Sequence, residues 1–239
     1  MKIDIITLFP DFFNGFKEHS IIGRAIKNGK LELVTHNLRN QAKDNYGSVD
    51  DHPYGGGPGM VLRFDILLNA LNEVKAKLKS ESPSSYKVIL MTPQGQVYKQ
   101  TIAQKLAREE NLILICGHYE GFDERIRDYV DMEISIGDYV LTGGELAAMV
   151  ITDSIARLLP GVLGDDTSSH EESHSPSTSS GSARLLEYPQ YTRPLEYDAK
   201  KVPEILTGGN HAKIDEWRKE QSIERTKMRR PDMISDKNI

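Results

Sequence analysis

At 239 residues the chain has room for one large domain, or for one domain and a small appendage. Its 38% hydrophobic and 27% charged content fits a globular protein rather than a disordered or membrane-embedded one, and a single cysteine excludes an internal disulfide framework and points to a reducing compartment. The net charge of −5 is unevenly spread: residues 184–239 hold 12 Lys+Arg against 10 Asp+Glu and the remainder 18 against 25, so on charge alone the C-terminal end is either a local basic surface that meets phosphate or an ordinary mixed surface.

Residues 3–9 are apolar apart from Asp4 and Thr7, too few to span a bilayer, and read as part of a first strand over 2–8. A short helix over 20–27 and a second strand over 31–38 follow. Residues 41–60 are rich in Gly, Asp and Asn and read as a long loop, the kind that often carries function. Leu67, Ala70, Leu71, Val74 and Leu78 mark one face of an amphipathic helix. A strand over 86–91 is ended by Thr92-Pro93. Ile102 and Leu106 mark the next helix, and 112–116 is an unbroken apolar run, as in a parallel strand covered on both faces. Thr142 and Glu145 have capping-box spacing, which predicts a helix from Gly143 with Ala147, Val150, Ile151, Ser154, Ile155 and Leu158 on one face. This alternation predicts an α/β fold with a mostly parallel sheet, and by itself an ordinary doubly wound topology.

Residues 164–182 contain no apolar side chain. Eight serines, two histidines and several acids fill the stretch, which reads as a flexible linker. His170 and His174 are four apart, but the Ser-rich context argues against a metal site. Beyond the linker, Asn210 is placed to cap a helix that buries Ile214 and Trp217, and Arg225, Lys227, Arg229 and Arg230 give its end a basic character.

Two stretches concentrate chemistry. Cys116-Gly117-His118-Tyr119-Glu120-Gly121-Phe122-Asp123-Glu124-Arg125 leaves the covered strand and brings aromatic, acidic and basic groups together, where open α/β sheets place their sites. Ser135-Ile136-Gly137-Asp138-Tyr139-Val140-Leu141-Thr142-Gly143-Gly144-Glu145 follows, and its glycines admit a ligand close to the backbone where a Cβ would stand in the way. The loop Tyr54-Gly55-Gly56-Gly57-Pro58-Gly59 resembles a P-loop only superficially, because it lacks the Lys-Ser/Thr ending that grips phosphate.

These stretches, with Val49-Asp50-Asp51-His52-Pro53, Met91-Thr92-Pro93-Gln94-Gly95, Gly161-Val162-Leu163-Gly164, Tyr188-Pro189-Gln190-Tyr191 and Arg229-Arg230-Pro231, closely resemble the bacterial tRNA (guanine-N1)-methyltransferases of the TrmD family. The resemblance runs in order along nearly the whole chain. It implies a SPOUT-type, mostly parallel sheet with a deep trefoil knot around 86–145, plus a small helical C-terminal domain. It divides the chain into a knotted cofactor-binding domain (1–163), a Ser- and acid-rich linker (164–187) and a tRNA-binding domain (188–239). It also implies a cytoplasmic homodimer acting on tRNA rather than DNA, with no membrane partner and with sites between subunits, where the core of one meets the C-terminal module of the other.

By the same resemblance, S-adenosylmethionine donates a methyl group to N1 of guanine 37, and magnesium assists. The cofactor would be held by Leu90, Met91, Thr92 and Pro93, by Gly117 and Tyr119, by Ile136, Gly137, Asp138, Tyr139, Val140 and Leu141, and by Gly143 and Gly144. The substrate would be met by Asp50, Tyr54, Gly55, Gly56 and Gly59, with Arg229 and Arg230 on phosphate. N1 of neutral guanine carries a proton, so a base must remove it while a donor stabilises charge growing at O6. Arg157 suits O6 and Glu120 suits the guanine or polar groups of the cofactor. The base is where this chain departs from the family, whose Asp-Ser-Phe is replaced by Glu172-Ser173-His174 in a longer linker. Glu172 takes the role by spacing from Gly164; Glu171, Asp165, Asp166 and His174 are alternatives. A binding protein with reduced catalysis is the competing expectation that this departure raises.

Overall fold

Two strands with no polar face need cover on both sides, and that requirement organises the N-terminal part of the molecule. The computed structural model describes residues 1–81, 85–163, 173 and 185–234. Contacts divide the chain into two compact units, Met1–Gly164 and Asp165–Ile239. In the first, β1 (Lys2–Thr7) leads through a 3-10 turn to α1 (Asn14–Glu18), α2 (Ser20–Lys27) and β2 (Glu32–Asn37). Two-residue strands β3 (Asp50–Asp51) and β4 (Val61–Leu62) pair antiparallel and lead to α3 (Phe64–Glu81). Then come β5 (Tyr86–Val97), α4 (Gln100–Leu106), β6 (Asn111–Cys116), β7 (Met132–Ser135) and α5 (Glu145–Ala156). The five long strands form one sheet in the order β2-β1-β6-β5-β7, and every pairing in it is parallel.

Every residue of β1 and β6 is buried. Alternate side chains go to opposite faces, so each strand feeds two cores. Ile3, Ile5, Ile89, Met91, Leu112 and Leu114 meet Ile22 of α2, Ile102 and Leu106 of α4, and Ile151 and Ile155 of α5. Ile6, Val88, Leu90, Ile113 and Ile115 meet Ile66, Leu67, Leu71, Val74 and Leu78 of α3. Each such aliphatic side chain contributes about 1.5–3 kcal/mol when fully withdrawn from water. Of the two buried carboxylates among the described residues, one comes from β1 itself: Asp4 is 1% exposed and its Oδ1 lies 2.6 Å from His36 Nε2 across the β1–β2 pair.

The structure corrects the expectations at four points. Thr92-Pro93 does not end β5. The strand pairs with β7 up to Met91↔Ile134, detours through 92–95, and resumes at Gln96↔Ile134. Proline is tolerated there because the detour needs no ladder donor. The strand β7 had no sequence signal, being four residues of mixed polarity. The Thr142–Glu145 capping box does not form: α5 begins at Glu145, its N-cap is Gly144 with no side-chain cap bond, and Glu145 turns inward to accept from Thr7 Oγ1 at 2.7 Å. On α5, Ala147, Ile151 and Ile155 are buried as the periodicity predicts, but Val150 is 46% exposed, in line with Leu146 at 47%.

In the second unit, β8 (Glu196–Tyr197) and β9 (Lys200–Lys201) form a hairpin whose two turn residues, Asp198 and Ala199, have φ of 51° and 55°. The helix α6 (His211–Arg229) is capped by Asn210, whose side chain accepts from Lys213 N at 3.2 Å. Ile214 is buried and Trp217 half-buried, as its spacing predicts. The backbone before Tyr188 is tied to this helix by Leu186 N donating to Thr226 Oγ1 at 2.8 Å, and Arg218 lies 4.7 Å over the Tyr188 ring.

Gly95 marks the tightest crossing in the sheet: a Cβ there would lie 2.5 Å from both Glu133 C and Ile134 N. Gly95→Ala should lower unfolding stability by about 1–3 kcal/mol, as overpacking does. Gly15→Ala, in α1 with no atom near the added methyl, should stay within about 0.5 kcal/mol of the parent or exceed it. Urea midpoints of the two variants check the contrast, and equal midpoints would contradict the crossing.

Candidate functional site

The detour of β5 and the C-terminal ends of β6 and β7 open into one pocket of about 400 Å³, close to the position where open α/β sheets bind ligands. Three connections wall it: 92–94, 117–122 and 134–144. They are locked to each other by backbone. Gly144 N donates to Gly117 O at 2.8 Å, and His118 and Gly143 form an antiparallel bridge. A Cβ on Gly144 would lie 2.7 Å from Cys116 Cα and 2.9 Å from Gly117 N. This glycine therefore lets α5 sit directly on the end of β6, a reason different from the ligand approach expected for it. Gly137 has φ 151° and lies under Tyr139, where a Cβ would come 2.5 Å from Cε1. Ser135 Oγ holds that turn, donating to Gly137 O at 3.0 Å and accepting from Gly137 N at 3.2 Å.

Of the residues expected at the cofactor, Met91, Thr92, Pro93, Gly117, Tyr119, Ile136, Gly137, Tyr139, Val140, Leu141, Gly143 and Gly144 line this pocket. Leu90 and Asp138 do not. Leu90 is fully buried on the α3 side, because its neighbour Met91 takes the other face of the strand. Glu120 lines the pocket from an exposed position, beside Tyr119 with its φ of 59°.

Asp50, Tyr54, Gly55, Gly56 and Gly59 belong to a neighbouring loop outside the lining. Gly55, Gly56 and Gly59 all have positive φ, and Tyr54 is fully exposed. The loop is stitched to the pocket wall: Glu120 N donates to Met60 O at 3.0 Å, Leu62 N to Gly121 O at 3.0 Å, and Asp123 N to Leu62 O at 2.9 Å. A Cβ on Gly59 would strike the Glu120 side chain.

Arg157 caps the far end of α5, about 20 Å along the helix axis from Gly144 at 1.5 Å per residue, and does not line the pocket. Arg229 is exposed in the last turn of α6. Arg230 follows it and is held by both oxygens of Asp232, at 2.8 and 2.7 Å, a pairing that raises its guanidinium above the ordinary value. Glu172, with the alternatives Glu171, Asp165, Asp166 and His174, lies outside the described residues, as does His170.

Sequence reasoning gave no role to several groups at the site. Glu145 is 6% exposed and is held by Thr7 Oγ1, which in turn accepts from Phe9 N at 2.9 Å. Burial, and second the charge of Glu145, push the Cys116 thiol well above its ordinary value, so that cysteine is inert packing. His118 stands edge-on to Phe9 and Tyr119, with centroids at 5.2 and 4.9 Å, and its Nδ1 is buried with no hydrogen-bond partner among the described residues. Gln94, Phe122, Glu124 and Arg127 also line the pocket. The signal for Glu145 was its place in the first turn of a helix; Arg127 had none beyond its charge.

Apolar side chains of Ile134, Ile136 and Leu141 and backbone edges together suit a flat heteroaromatic ring, and Glu120 and Glu124 give the rim carboxylates that favour a cation. Among the described residues no group of three His, Cys, Asp or Glu side chains is arranged to hold a metal, and no helix is long and apolar enough to cross a membrane.

The chain matches the family "tRNA (Guanine-1)-methyltransferase TrmD" over residues 1–236. Among its relatives, a tRNA (guanine-N(1)-)-methyltransferase of Moorella thermoacetica is 50% identical over 240 residues, covering 100% of this chain and 92% of that protein. The protein of the same name from Ruminiclostridium cellulolyticum is 49% identical over 236 residues, covering 98% and 97%. The one from Bacillus cereus is 50% identical over 240 residues, covering 100% and 94%.

The Thr7–Glu145 bond offers a direct test of how the floor of the site is held. Thr7→Ala leaves a buried carboxylate without its donor and should cost about 1.5–3 kcal/mol, the range for a hydrogen bond to a charged group. Thr7→Ser keeps the hydroxyl and should recover most of that loss. Urea unfolding of the pair checks this; equal stabilities for Ala and Ser variants would discount the bond.

Proposed function

Because the chain belongs to the TrmD family of tRNA (guanine-1)-methyltransferases, we propose that it transfers a methyl group from S-adenosylmethionine to N1 of guanine 37 in tRNA. The observation that carries the proposal is the glycine-walled pocket at the detour of β5 and the ends of β6 and β7, built from the residues that the family resemblance assigns to the cofactor. The donor supplies an electrophilic methyl on a sulfonium, whose thioether leaves neutral and needs no metal. Ile136 and Leu141 sandwich the adenine, and the backbone around Gly117 and Tyr119 meets its edges and the ribose. Glu120 orients the guanine. A carboxylate of the linker, Glu172, takes the N1 proton, and a guanidinium, Arg157, stabilises charge at O6.

In this reading residues 1–163 form the methyltransferase domain, threaded as a trefoil knot, which the family membership supports. Residues 164–187 act as the linker and 188–239 as the tRNA-binding module, with Arg229 and Arg230 on phosphate. The protein works as a cytoplasmic homodimer. Within one copy the pocket and Arg157 lie at opposite ends of α5, so this arginine reaches a pocket only across a dimer. The exposed apolar pair Leu146 and Val150 on the same helix supports self-association.

The deciding experiment incubates the protein with S-adenosylmethionine and tRNA carrying guanine at position 37, and maps the product by mass spectrometry. N1-methylguanine at 37, and none when adenine replaces that guanine, is the expected result. Methylation elsewhere would overturn the substrate assignment, and binding of both ligands without any transfer would favour a binding role. Arg157→Ala should lower the single-turnover rate about a hundred- to a thousand-fold, with cofactor affinity within twofold. A rate within threefold of wild type would remove Arg157 from the reaction.

Glu172 is tested separately. Glu172→Gln should slow transfer strongly while both ligands still bind, and Glu172→Asp should stay active. Full activity in Glu172→Gln with a dead Glu171→Gln or Asp166→Asn variant would reassign the base to that neighbouring acid.

A further inference from the structure

Arg127 has no part in the reaction described above, yet it lines the pocket with a side chain only 19% exposed. Its guanidinium reaches three side chains, one in the detour of β5, one on β7 and one in its own 3-10 turn. Nη1 donates to Glu133 Oε2 on β7, and Nη2 donates to Gln94 Oε1 in the detour of β5. Nε lies 2.8 Å from Glu124 Oε1, an ion pair rather than an aligned hydrogen bond. The flat face sits 5.3 Å over the ring of Phe122, which also lines the pocket. A planar fork with fixed donors can hold this many partners at once, and a lysine cannot.

The detour is the segment that needs holding. Between Met91↔Ile134 and Gln96↔Ile134 its residues have no ladder partner on β7. Thr92, Pro93 and Gln94 nevertheless form one wall of the pocket. Inside the detour, Gln94 N donates to Thr92 Oγ1 at 3.3 Å, a bond that shapes the turn without tying it to the sheet. The Arg127–Gln94 contact supplies the tie, and Glu133 anchors its other end to β7.

We infer that Arg127 is a positioning residue for the cofactor: it clamps the 92–95 detour to β7 through Gln94 and so fixes that wall of the pocket before the ligand arrives. The ligand assignment rests on the reading of the pocket as the S-adenosylmethionine site; the clamp itself does not.

The test uses Arg127→Lys, which keeps the charge and loses the fork, and Gln94→Ala, which removes the partner. Two measurements are made on the full-length protein. Hydrogen exchange of the ligand-free protein should quicken in a peptide covering 92–96 for both variants, with thermal midpoints close to wild type. Calorimetry should show S-adenosylmethionine and S-adenosylhomocysteine weakened by the same factor, roughly tenfold, the order expected when one further residue must be ordered on binding. The double variant should be no weaker than the weaker single one, because both act through one contact. Exchange at 92–96 unchanged in both variants would overturn the clamp. So would additive losses, or unequal losses for the two ligands in Arg127→Lys, which would mean that the side chain acts by its field or touches the ligand. If wild type binds neither ligand, the cofactor reading of the pocket fails, and the exchange measurement still decides the clamp.

Discussion

At Gly95 and Gly144 main chain lies on main chain, and the site depends on those two contacts. Ordinary van der Waals contact to a Cβ begins at 3.4 Å, whereas one placed at Gly95 would stand 2.5 Å from the β7 backbone and one at Gly144 2.7 Å from Cys116 Cα. Any side chain at either position must push its segment outward by about an ångström, against an interior that does not yield. The consequence is chemical as well as steric. With the segments this close, the turns that wall the pocket bring main-chain amides and carbonyls to it in positions set by the chain path. Such a surface can present donors and acceptors to the edges of a planar ligand without an entropic cost at the moment of binding.

Side-chain polarity is then used to hold the turns, and the buried charges show how. Glu145 opens α5, where a carboxylate is favoured by the helix N-terminus, and it takes a proton donor from the last residue of β1. A capping box would have used the same glutamate on its own helix. Turned inward, it joins the helix to the first strand, 138 residues earlier in the chain, and buries the thiol of Cys116 beside it. Arg127 does the comparable task at the other wall, joining β7 to the detour of β5. Each polar group is held between two elements, so the stability of the sheet and the shape of the pocket are not independent quantities.

The parts of this arrangement that were legible in the sequence are those with a strong local period. The helix over 20–27 and the covered strand ending at Cys116 come out at or within a residue of their expected bounds, because unbroken apolar runs and 3.6-residue faces leave little choice. What the sequence hid is non-local. Pro93 looked like a strand end, since nothing in its neighbourhood says that the chain will rejoin the same partner at Gln96. Leu90 and Met91 are equally apolar, and only the register against β6 and β7 decides which of them faces the pocket. Val150 fits the buried face by spacing and is exposed, which period alone cannot distinguish from a position covered by a second molecule. The family resemblance supplied the pocket residues where periodicity was silent, but it carried no information on Arg127, whose role exists only through partners six residues downstream and thirty-three upstream in the chain.

The two proposed ligands differ in sign, and the chain separates its charges to match. S-adenosylmethionine is a cation at the reacting sulfur, and the pocket rim carries the carboxylates of Glu120 and Glu124, the second shared with Arg127, which Glu133 also engages, so that the rim keeps a net negative charge. The tRNA is a polyanion, and the excess of Lys and Arg is confined to residues 184–239, while the rest of the chain carries more acid than base. At physiological salt the field of one region fades within about 8–10 Å. An overall charge of −5 therefore does not keep RNA away from a locally basic module. The departing thioether is neutral and loses the attraction of the rim, so the same carboxylates that favour the donor also favour release of what remains of it.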